Sequence, residues 1–125
     1  MAQSFEASAG YGKLKVTGVL TLTIGGGVLQ LYGGTREHVG SVTVSVPRPS
    51  LADKDSMSVT SSVINLPSHK EEAVGRPASE LLAVALGLPI VCIAGIHVDE
   101  ATSDEREILT KNSEDAVRLL VQKLQ

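Results

Sequence analysis

Hydrophobic and polar residues alternate along the first half of the chain, which is the pattern of β-strands with one buried face. From Lys13 to Ile24 the apolar side chains fall on even positions, against mostly Lys and Thr on odd ones: Leu14, Val16, Leu20, Leu22 and Ile24. Gly25-Gly26-Gly27 then predicts a tight turn, because glycine accepts the positive φ angles that such turns need. Residues 28–32 return as the hairpin partner, and a shorter strand is predicted at residues 5–8.

A second pair of strands is predicted between residues 41 and 66. The first shows one valine at every second position, Val42, Val44 and Val46, against Ser41, Thr43 and Ser45. Pro47-Arg48-Pro49 ends it, because proline cannot donate to a strand ladder, and alternation resumes at residues 57–63. We expect the valines to face the core, which leaves the other face of the sheet with Thr, Ser and Lys apart from Val19.

The spacing of apolar residues becomes helical after residue 67. Ser68 and Glu71 have the Ser-x-x-Glu spacing of a capping box, which marks a helix start. The apolar positions that follow share one helical face, and Gly87 predicts the end of the helix. Pro77 predicts a kink or a fresh start within it, because its ring clashes with the preceding turn.

The last third of the chain predicts one more strand and one more helix. The apolar run 88–94 predicts a central strand that is covered on both faces. Thr102 and Glu105 form a second capping box, and a last helix is predicted from about residue 113. Strands that precede a helix, a strand and a helix favour an α+β fold, with a mostly antiparallel β-sheet and the helices packed on one face. We expect residues 1–125 to form a single domain.

Composition narrows the function classes. The aromatic residues are Phe5, Tyr11 and Tyr32, so the predicted core consists of Val, Leu, Ile and Ala. The net charge is −3, and no run of basic residues offers a phosphate-binding stripe. Scarce aromatics also leave little surface on which bases could stack. We therefore expect no nucleic-acid partner.

Cysteine usage and the terminal sequence predict the compartment. Cys92 is the single cysteine, which excludes an internal disulfide, and its apolar neighbours predict a buried side chain. Residues 1–6 lack the basic and apolar regions of a signal peptide, and no apolar run approaches the length of a membrane span. We expect a cytoplasmic protein with no membrane partner.

The three histidines give the candidate chemistry. His38 follows Gly33-Gly34, His69 lies at the predicted helix start, and His97 follows the apolar run, two residues before Asp99. All three flank loops at sheet edges, where small-molecule sites are often assembled. Each also has a structural interpretation: a helix cap for His69, a turn for His97 with Asp99, and packing under the glycine loop for His38.

Several site chemistries remain open from these residues. Imidazole and carboxylate groups suit zinc, nickel or ferrous iron, although the compact spacing of a metal motif is absent. A helix start beside Lys70 suits an anion such as phosphate, although Glu71 and Glu72 weaken it. A serine hydrolase or a nucleotide-binding glycine loop would require motifs that the chain lacks.

Three segments carry a family resemblance: Gly33-Gly34-Thr35-Arg36-Glu37-His38-Val39-Gly40, Leu66-Pro67-Ser68-His69-Lys70-Glu71 and Gly95-Ile96-His97-Val98-Asp99. With the elements between them, from about Leu14 to the C-terminus, they resemble the LpdD-like prenylated-flavin chaperones, which accompany UbiD-type aromatic acid decarboxylases. The resemblance implies a fold similar to proteasome assembly chaperones, a homodimer and no catalytic activity. It also implies that the chain binds reduced prenylated FMN and helps to load it into an apo-decarboxylase.

The positions that match the family are Gly34, His38, Gly40, His69, Lys70, His97 and Asp99. In this interpretation Lys70 and the helix start hold the ribityl phosphate, and the histidines face the polar edge of the isoalloxazine. The loop Gly-Gly-Thr-Arg-Glu-His is longer than the Gly-Gly-x-x-His form of the family, and a flavin would stack on aliphatic side chains. Two alternatives stay open: a protein-assembly module of the same fold that binds no flavin, and a protein with a His-coordinated metal.

Overall fold

A six-stranded sheet and two long helices account for most of the chain. The computed structural model describes residues 2–66 and 71–124. The elements in chain order are β1 (Gln3–Ala9), β2 (Val16–Thr23), β3 (Gly26–Gly34), β4 (Ser41–Pro49), β5 (Met57–Asn65), α1 (Glu72–Leu86), β6 (Ile90–His97) and α2 (Ser103–Leu124), with a short 3₁₀ turn at Gly12–Leu14. The order across the sheet is β1-β2-β3-β6-β4-β5. β3 and β6 run parallel, and the other neighbouring pairs are antiparallel.

Both helices pack on the same face of this sheet. α1 contacts β4, β5 and β6, while α2 contacts β1 and β2. The core between the two layers is aliphatic, with these side chains among those fully buried: Val16, Leu20, Leu29, Leu31, Leu82, Ile90 and Leu120. The predicted α+β class, with a mostly antiparallel sheet and helices on one face, is confirmed. No helix within residues 2–66 and 71–124 is both long and apolar enough to span a bilayer.

The face of β4 that packs against the helices is the one that its sequence predicts to be exposed. Ser41, Thr43 and Ser45 are fully buried beneath α1, whereas Val44 and Val46 are exposed on the face without helices. The expectation that the valines of β4 face the core was therefore wrong. Alternation shows that a strand has two different faces, but it does not show which of them meets the helices.

Close packing of α1 explains why hydroxyl residues occupy the buried side of β4. A Cβ atom at Gly75 of α1 would lie 3.1 Å from Ala94 Cβ and 3.4 Å from Ser41 Oγ, so the helix leaves little room for larger side chains. Ser45 donates to Ser61 Oγ at 2.7 Å, and Ser61 donates to Glu80 Oε2 at 2.7 Å. Ser41 Oγ and Thr43 Oγ1 are buried and find no hydrogen-bond partner among residues 2–66 and 71–124.

The inverted strand produces an apolar surface on the face of the sheet opposite the helices. Val44 aligns with Val91 of β6, which aligns with Val28 of β3, and Val42 aligns with Ile93 and Ile64. We call this surface the open-face patch; it consists of Val28, Val42, Val44, Val46, Ile64, Val91 and Ile93, all of them partly or well exposed. The expectation of a polar outer face was wrong for these four strands. β6 is central, as predicted, but helices cover it on one face alone.

The helix boundaries show which terminal signals were informative. α1 begins at Glu72 without a side-chain cap at Glu71, and Ser68 of the predicted capping box lies outside the described residues. α1 continues through Pro77 and ends at Gly87, whose φ of 66° places it in the left-handed region. The predicted stop is thus confirmed, and of the kink or fresh start predicted at Pro77, the fresh start was wrong.

α2 begins ten residues earlier than predicted, because the second capping box is its true start. Thr102 N donates to Glu105 Oε1 at 3.0 Å, and Glu105 N donates to Thr102 Oγ1 at 3.1 Å. The β2–β3 hairpin is also confirmed, with a small shift: its turn is Ile24-Gly25, and Ile24 is fully exposed instead of buried. Cys92 is buried as predicted, and burial raises the pKa of its thiol to about 12, so the thiol stays protonated.

Candidate functional site

The candidate site lies at one edge of the sheet, where two parallel strands end together. β3 and β6 are in register, so that Gly34 at the end of β3 is level with His97 at the end of β6. Gly34 has a φ of +85°, and a Cβ atom there would overlap the carbonyl oxygen of His97. Glycine is required at this position both by the backbone angle and by the close approach of β6.

From Gly34 the chain must cross β6 to reach β4, and the crossing segment is residues 35–40, which we call the edge loop. Thr35 N and Arg36 N donate to His97 O at 2.7 and 3.2 Å. At the far end, Gly40 N donates to Ala94 O at 2.8 Å. The edge loop is thus fastened to the end of β6 at both of its ends.

Gly95 of β6 lets the edge loop pass close to the strand. A Cβ atom at Gly95 would overlap the carbonyl group of His38. Gly40 serves a similar purpose on the other side, because a Cβ atom there would meet the carboxylate of Glu71. The two glycines allow backbone and side chains from three separate segments to meet in one place.

The side chain of His38 joins the edge loop to the start of α1. Its Nε2 lies 2.7 Å from Glu71 Oε1, and Nδ1 lies 3.2 Å from the carbonyl oxygen of Arg36. A carbonyl oxygen only accepts, so Nδ1 carries a hydrogen. The contact with Glu71 therefore needs a further hydrogen between Nε2 and Oε1, on the ring or on the carboxyl group. Both side chains are largely covered, with 19% of His38 and 8% of Glu71 exposed.

His97 and Asp99 form the accessible side of the same site. His97 Nε2 donates to Asp99 Oδ1 at 2.9 Å, and Arg36 donates to the same oxygen at 3.2 Å. The His97 hydrogen bond, and after it the charge of Arg36, hold the pKa of the Asp99 carboxyl below its usual range. The rings of His38 and His97 stand edge to face, with their centroids 6.3 Å apart.

Thr35 completes the connection between the edge loop and the residues after β6. Its hydroxyl donates to His97 O and accepts from Asp99 N, both at 3.2 Å. The side chains of His97 and Asp99 remain 44% and 62% exposed. Together they offer an approaching ligand imidazole and carboxylate groups on a rigid frame, which suits hydrogen bonding to the polar edge of a small molecule.

Two clefts on the open face of the sheet adjoin the edge loop. The larger, of about 300 Å³, is lined by Gln30, Leu31, Tyr32, Glu37, His38, Val39 and Ile93. The smaller, of about 230 Å³, is lined by Gly12, Lys15, Thr17, Tyr32, Gly33, Gly34 and Glu37. Tyr32 and Glu37 line both, so the two clefts are adjacent.

The structure brings together most of the residues that the sequence singled out. Five of the seven lie at this edge of the sheet: Gly34, His38, Gly40, His97 and Asp99. His69 and Lys70 lie outside the described residues. Leu66, which precedes the undescribed residues in the chain, donates from N to Gly40 O at 2.9 Å, and Glu71 follows them. Within residues 2–66 and 71–124 no three His, Cys, Asp or Glu side chains are grouped so that they could hold a metal ion.

The sequence reasoning missed three contributors to the site. Glu71 was assigned to a helix cap, whereas its carboxylate pairs with His38. Arg36 and Thr35 were not among the predicted site residues, although both contact Asp99. Their position between the glycine pair and His38 was the available signal, but the contacts depend on the parallel pairing of β3 with β6, which the sequence does not reveal.

Comparison with known families decides the identity of this chain. A family model described as the prenylated flavin chaperone LpdD-like domain matches residues 10–125. The chain belongs to this family. The predicted resemblance is confirmed, and so is the prediction that the chain is a chaperone and not an enzyme. No curated protein matches the chain.

The fold has a solved counterpart at low sequence identity. The chain is similar to a structure described as a novel chaperone complex for yeast 20S proteasome assembly, with a TM-score of 0.61 and 9% identity. The match covers 98% of this chain and 94% of that one. This likeness confirms the predicted resemblance of the fold to proteasome assembly chaperones. In this member of the prenylated flavin chaperone family, the edge-loop site exposes the polar side chains of His97 and Asp99 close to a cleft that His38 lines.

Proposed function

We propose that this chain binds reduced prenylated FMN beside the edge loop and helps to load it into an apo UbiD-type aromatic acid decarboxylase. The observation that carries the proposal is the position of His38, which lines the larger cleft, with its ring centroid 6.3 Å from that of His97, in a member of the prenylated flavin chaperone family. Residues 59 positions apart in the sequence form one polar surface there. Such a surface can recognise the ring edge of a flavin.

Each site residue has a distinct part in this proposal. His97 and Asp99 are accessible and provide the hydrogen bonds to the ring edge, while His38 is held in place by Glu71. Gly34 and Gly40 allow the chain to close tightly around the site. His69 and Lys70 stay predictions from the sequence, with Lys70 as a partner of the phosphate, and so does the cytoplasmic location.

Transient binding fits the shape of the site. Both clefts lie on an open sheet face and not in an enclosed core, so a bound molecule would keep part of its surface accessible. A carrier must release its cargo to the acceptor enzyme, and affinity that comes from a few rim contacts permits that release. A deeply enclosed site would instead require the carrier to open before transfer.

We also propose that the chain works as a homodimer through the end of the open-face patch away from the edge loop, Val28, Val44, Val46 and Val91, which leaves Ile93 and the larger cleft beside the interface. Contiguous apolar surface of this kind usually marks an interface in a folded protein. The open face carries an acidic side chain at one end of the strand order, Glu6 on β1, and a basic one toward the other, Arg48 on β4. Two copies can therefore face each other without bringing together a cluster of like charges.

Reconstitution of a decarboxylase tests the loading role. Apo UbiD-type decarboxylase would be mixed under anaerobic conditions with limiting reduced prenylated FMN, with and without the chain, and release of carbon dioxide followed. We expect faster and fuller activation with the chain present, and a weaker effect with His97→Ala. Equal activation with and without the chain would contradict the loading role.

A protein-assembly module that binds no flavin is the second candidate, and the open-face patch is the observation that favours it. In that case the chain would form a stable complex with the decarboxylase whether or not flavin is present. Sedimentation of the mixture with and without reduced prenylated FMN separates the two functions. A complex that forms equally well without flavin, together with no flavin binding by the chain alone, favours the assembly module.

A further inference from the structure

The two clefts beside the edge loop differ in chemistry along their length. The end farther from Lys15 is lined by Gln30, Val39 and Ile93, which give it an apolar floor with one amide. The opposite end is lined by Lys15, Thr17 and three glycines, Gly12, Gly33 and Gly34. The two adjacent clefts, which together we call the groove, therefore change from an apolar end to a cationic end.

Tyr32 and Glu37 line both clefts. Tyr32 projects from β3 on the open face, and its neighbours on the adjacent strands are Thr17 and Gly95. The backbone of His38 covers Gly95, so the open space at the Tyr32 side chain is that of the two clefts which it lines. A planar ligand there can therefore stack on the Tyr32 ring.

Lys15 is exposed and has no ion-pair partner among residues 2–66 and 71–124. Lys13, two residues earlier, is by contrast paired, because its Nζ lies 2.7 Å from Glu105 Oε2. The glycines around Lys15 carry no side chains that would keep an anion at a distance. Lys15 is thus placed to bind an anionic group that enters the smaller cleft.

We propose that the joined clefts bind the flavin mononucleotide along their length, with the ring at Tyr32 and the phosphate at Lys15. This inference rests on the function proposed above and assigns the two ends of its ligand. The ring system lies in the larger cleft against Tyr32, Ile93 and Val39. The ribityl hydroxyls donate to Glu37, which lines both clefts, and the phosphate accepts from Lys15 in place of Lys70, the partner predicted from the sequence.

Size and charge support the use of both clefts by one ligand. Sites for small molecules usually measure about 300–1,000 Å³, and the larger cleft alone, at about 300 Å³, stands at the bottom of that range. The carboxylate of Glu37 would repel a phosphate but accepts hydrogen bonds from hydroxyls. Along the groove the apolar floor is followed by the Glu37 carboxylate and then by the Lys15 ammonium group. This order matches that of the ring, the ribityl chain and the phosphate in the nucleotide.

The proposed position of the ring differs from the stacking that the sequence predicts. The scarcity of aromatic residues predicted that a flavin would rest on aliphatic side chains. Tyr32 nevertheless lines both clefts, so one of the chain's two tyrosines is at the place where a ring would lie. Tyr11, in contrast, is 89% exposed and lines neither cleft.

Binding of two flavins that differ in the phosphate tests the assignment of Lys15. Dissociation constants for reduced prenylated FMN and for its dephosphorylated form, reduced prenylated riboflavin, would be measured anaerobically by fluorescence. We expect Lys15→Gln to weaken binding of the phosphorylated form about 10-fold and to leave the riboflavin form unchanged. Lys13→Gln, the matched control, should bind both forms as the unaltered protein does.

The assignment of Tyr32 is tested with the same two ligands. Tyr32→Leu should weaken the binding of both flavins by a similar factor of about 10. Two control variants should bind both flavins normally: Tyr32→Phe, which retains the ring, and Tyr11→Leu, which lies outside the groove. Thermal unfolding of each variant shows whether it is folded. Normal affinity in Lys15→Gln or Tyr32→Leu, or an equal loss for both flavins in Lys15→Gln, would overturn the groove assignment. Failure of the unaltered chain to bind either flavin would instead overturn the proposed function itself.

Discussion

The imidazole of His38 lies 2.7 Å from the carboxylate of Glu71 and connects the edge loop to the first turn of α1. Both side chains are largely covered, so the pair is shielded from water more than the other ion pairs at this site. Removing one partner of such a pair leaves the other polar group covered and poorly solvated. The pair therefore has a structural part in the site as well as a chemical one.

We expect His38→Ala to lower the free energy of unfolding by about 1–3 kcal/mol, because the covered carboxyl group of Glu71 loses its hydrogen bond with His38. His97→Ala is the matched control. Its pair with Asp99 is well exposed, so the change should stay within about 0.5 kcal/mol. Urea unfolding of both variants measures the difference, and equal stability of the two would show that the His38–Glu71 contact contributes little.

Gly95→Ala should destabilise the protein by about 1–3 kcal/mol, since the new Cβ atom would overlap the carbonyl group of His38 and push the edge loop away. Gly25→Ala is the control, because a Cβ atom there meets nothing within 4 Å. That variant should be neutral or slightly more stable. Thermal unfolding compares the two, and an unchanged Gly95→Ala variant would contradict the close passage of the edge loop over β6.

Thr43→Val should raise the free energy of unfolding by about 1 kcal/mol, because it replaces a buried hydroxyl without a partner by a methyl group of similar size. Ser45→Ala should lower it by about 0.5–1.5 kcal/mol, since Ser45 donates to Ser61 in the same layer. Chemical denaturation distinguishes the two signs. A loss of stability in Thr43→Val would mean that the Thr43 hydroxyl finds a partner after all.

Val44→Lys should convert the proposed dimer into a monomer, because it places a charge in the middle of the open-face patch. Val84→Lys makes the same change on the exposed side of α1, where Val84 is 42% exposed against 38% for Val44. Sedimentation equilibrium should give twice the chain mass of 13.1 kDa for the unaltered protein and for Val84→Lys. A single-chain mass for the unaltered protein would contradict the homodimer.

The sequence predicted those parts of the fold that depend on local patterns. Alternation gave the β2–β3 hairpin, and Gly87 gave the end of α1. The Thr102–Glu105 box marked the start of α2, although the apolar spacing suggested a later start. Each of these signals depends on interactions among a few neighbouring residues, so packing against other elements does not alter the structure that it predicts.

Features set by contacts between distant segments could not be predicted in the same way. The alternation in β4 is equally compatible with either face toward the helices, and the close approach of α1 at Gly75 selects the hydroxyl side. The Ser68–Glu71 spacing fits a capping box, yet Glu71 pairs with His38 from a different segment. The histidines were recognised as a group, but the pairing of β3 with β6 decides that His38 and His97 meet.

Anaerobic titration of the purified chain with reduced prenylated FMN, with reduced FMN as the control ligand, tests the central claim most directly. Absorbance and thermal shift would follow binding to the unaltered chain and to His97→Ala. The account predicts saturable binding that is selective for the prenylated form and weaker by about 10-fold in His97→Ala, whose fold should be intact. Binding of neither flavin, or equal binding of both, would contradict a role as carrier of the prenylated cofactor.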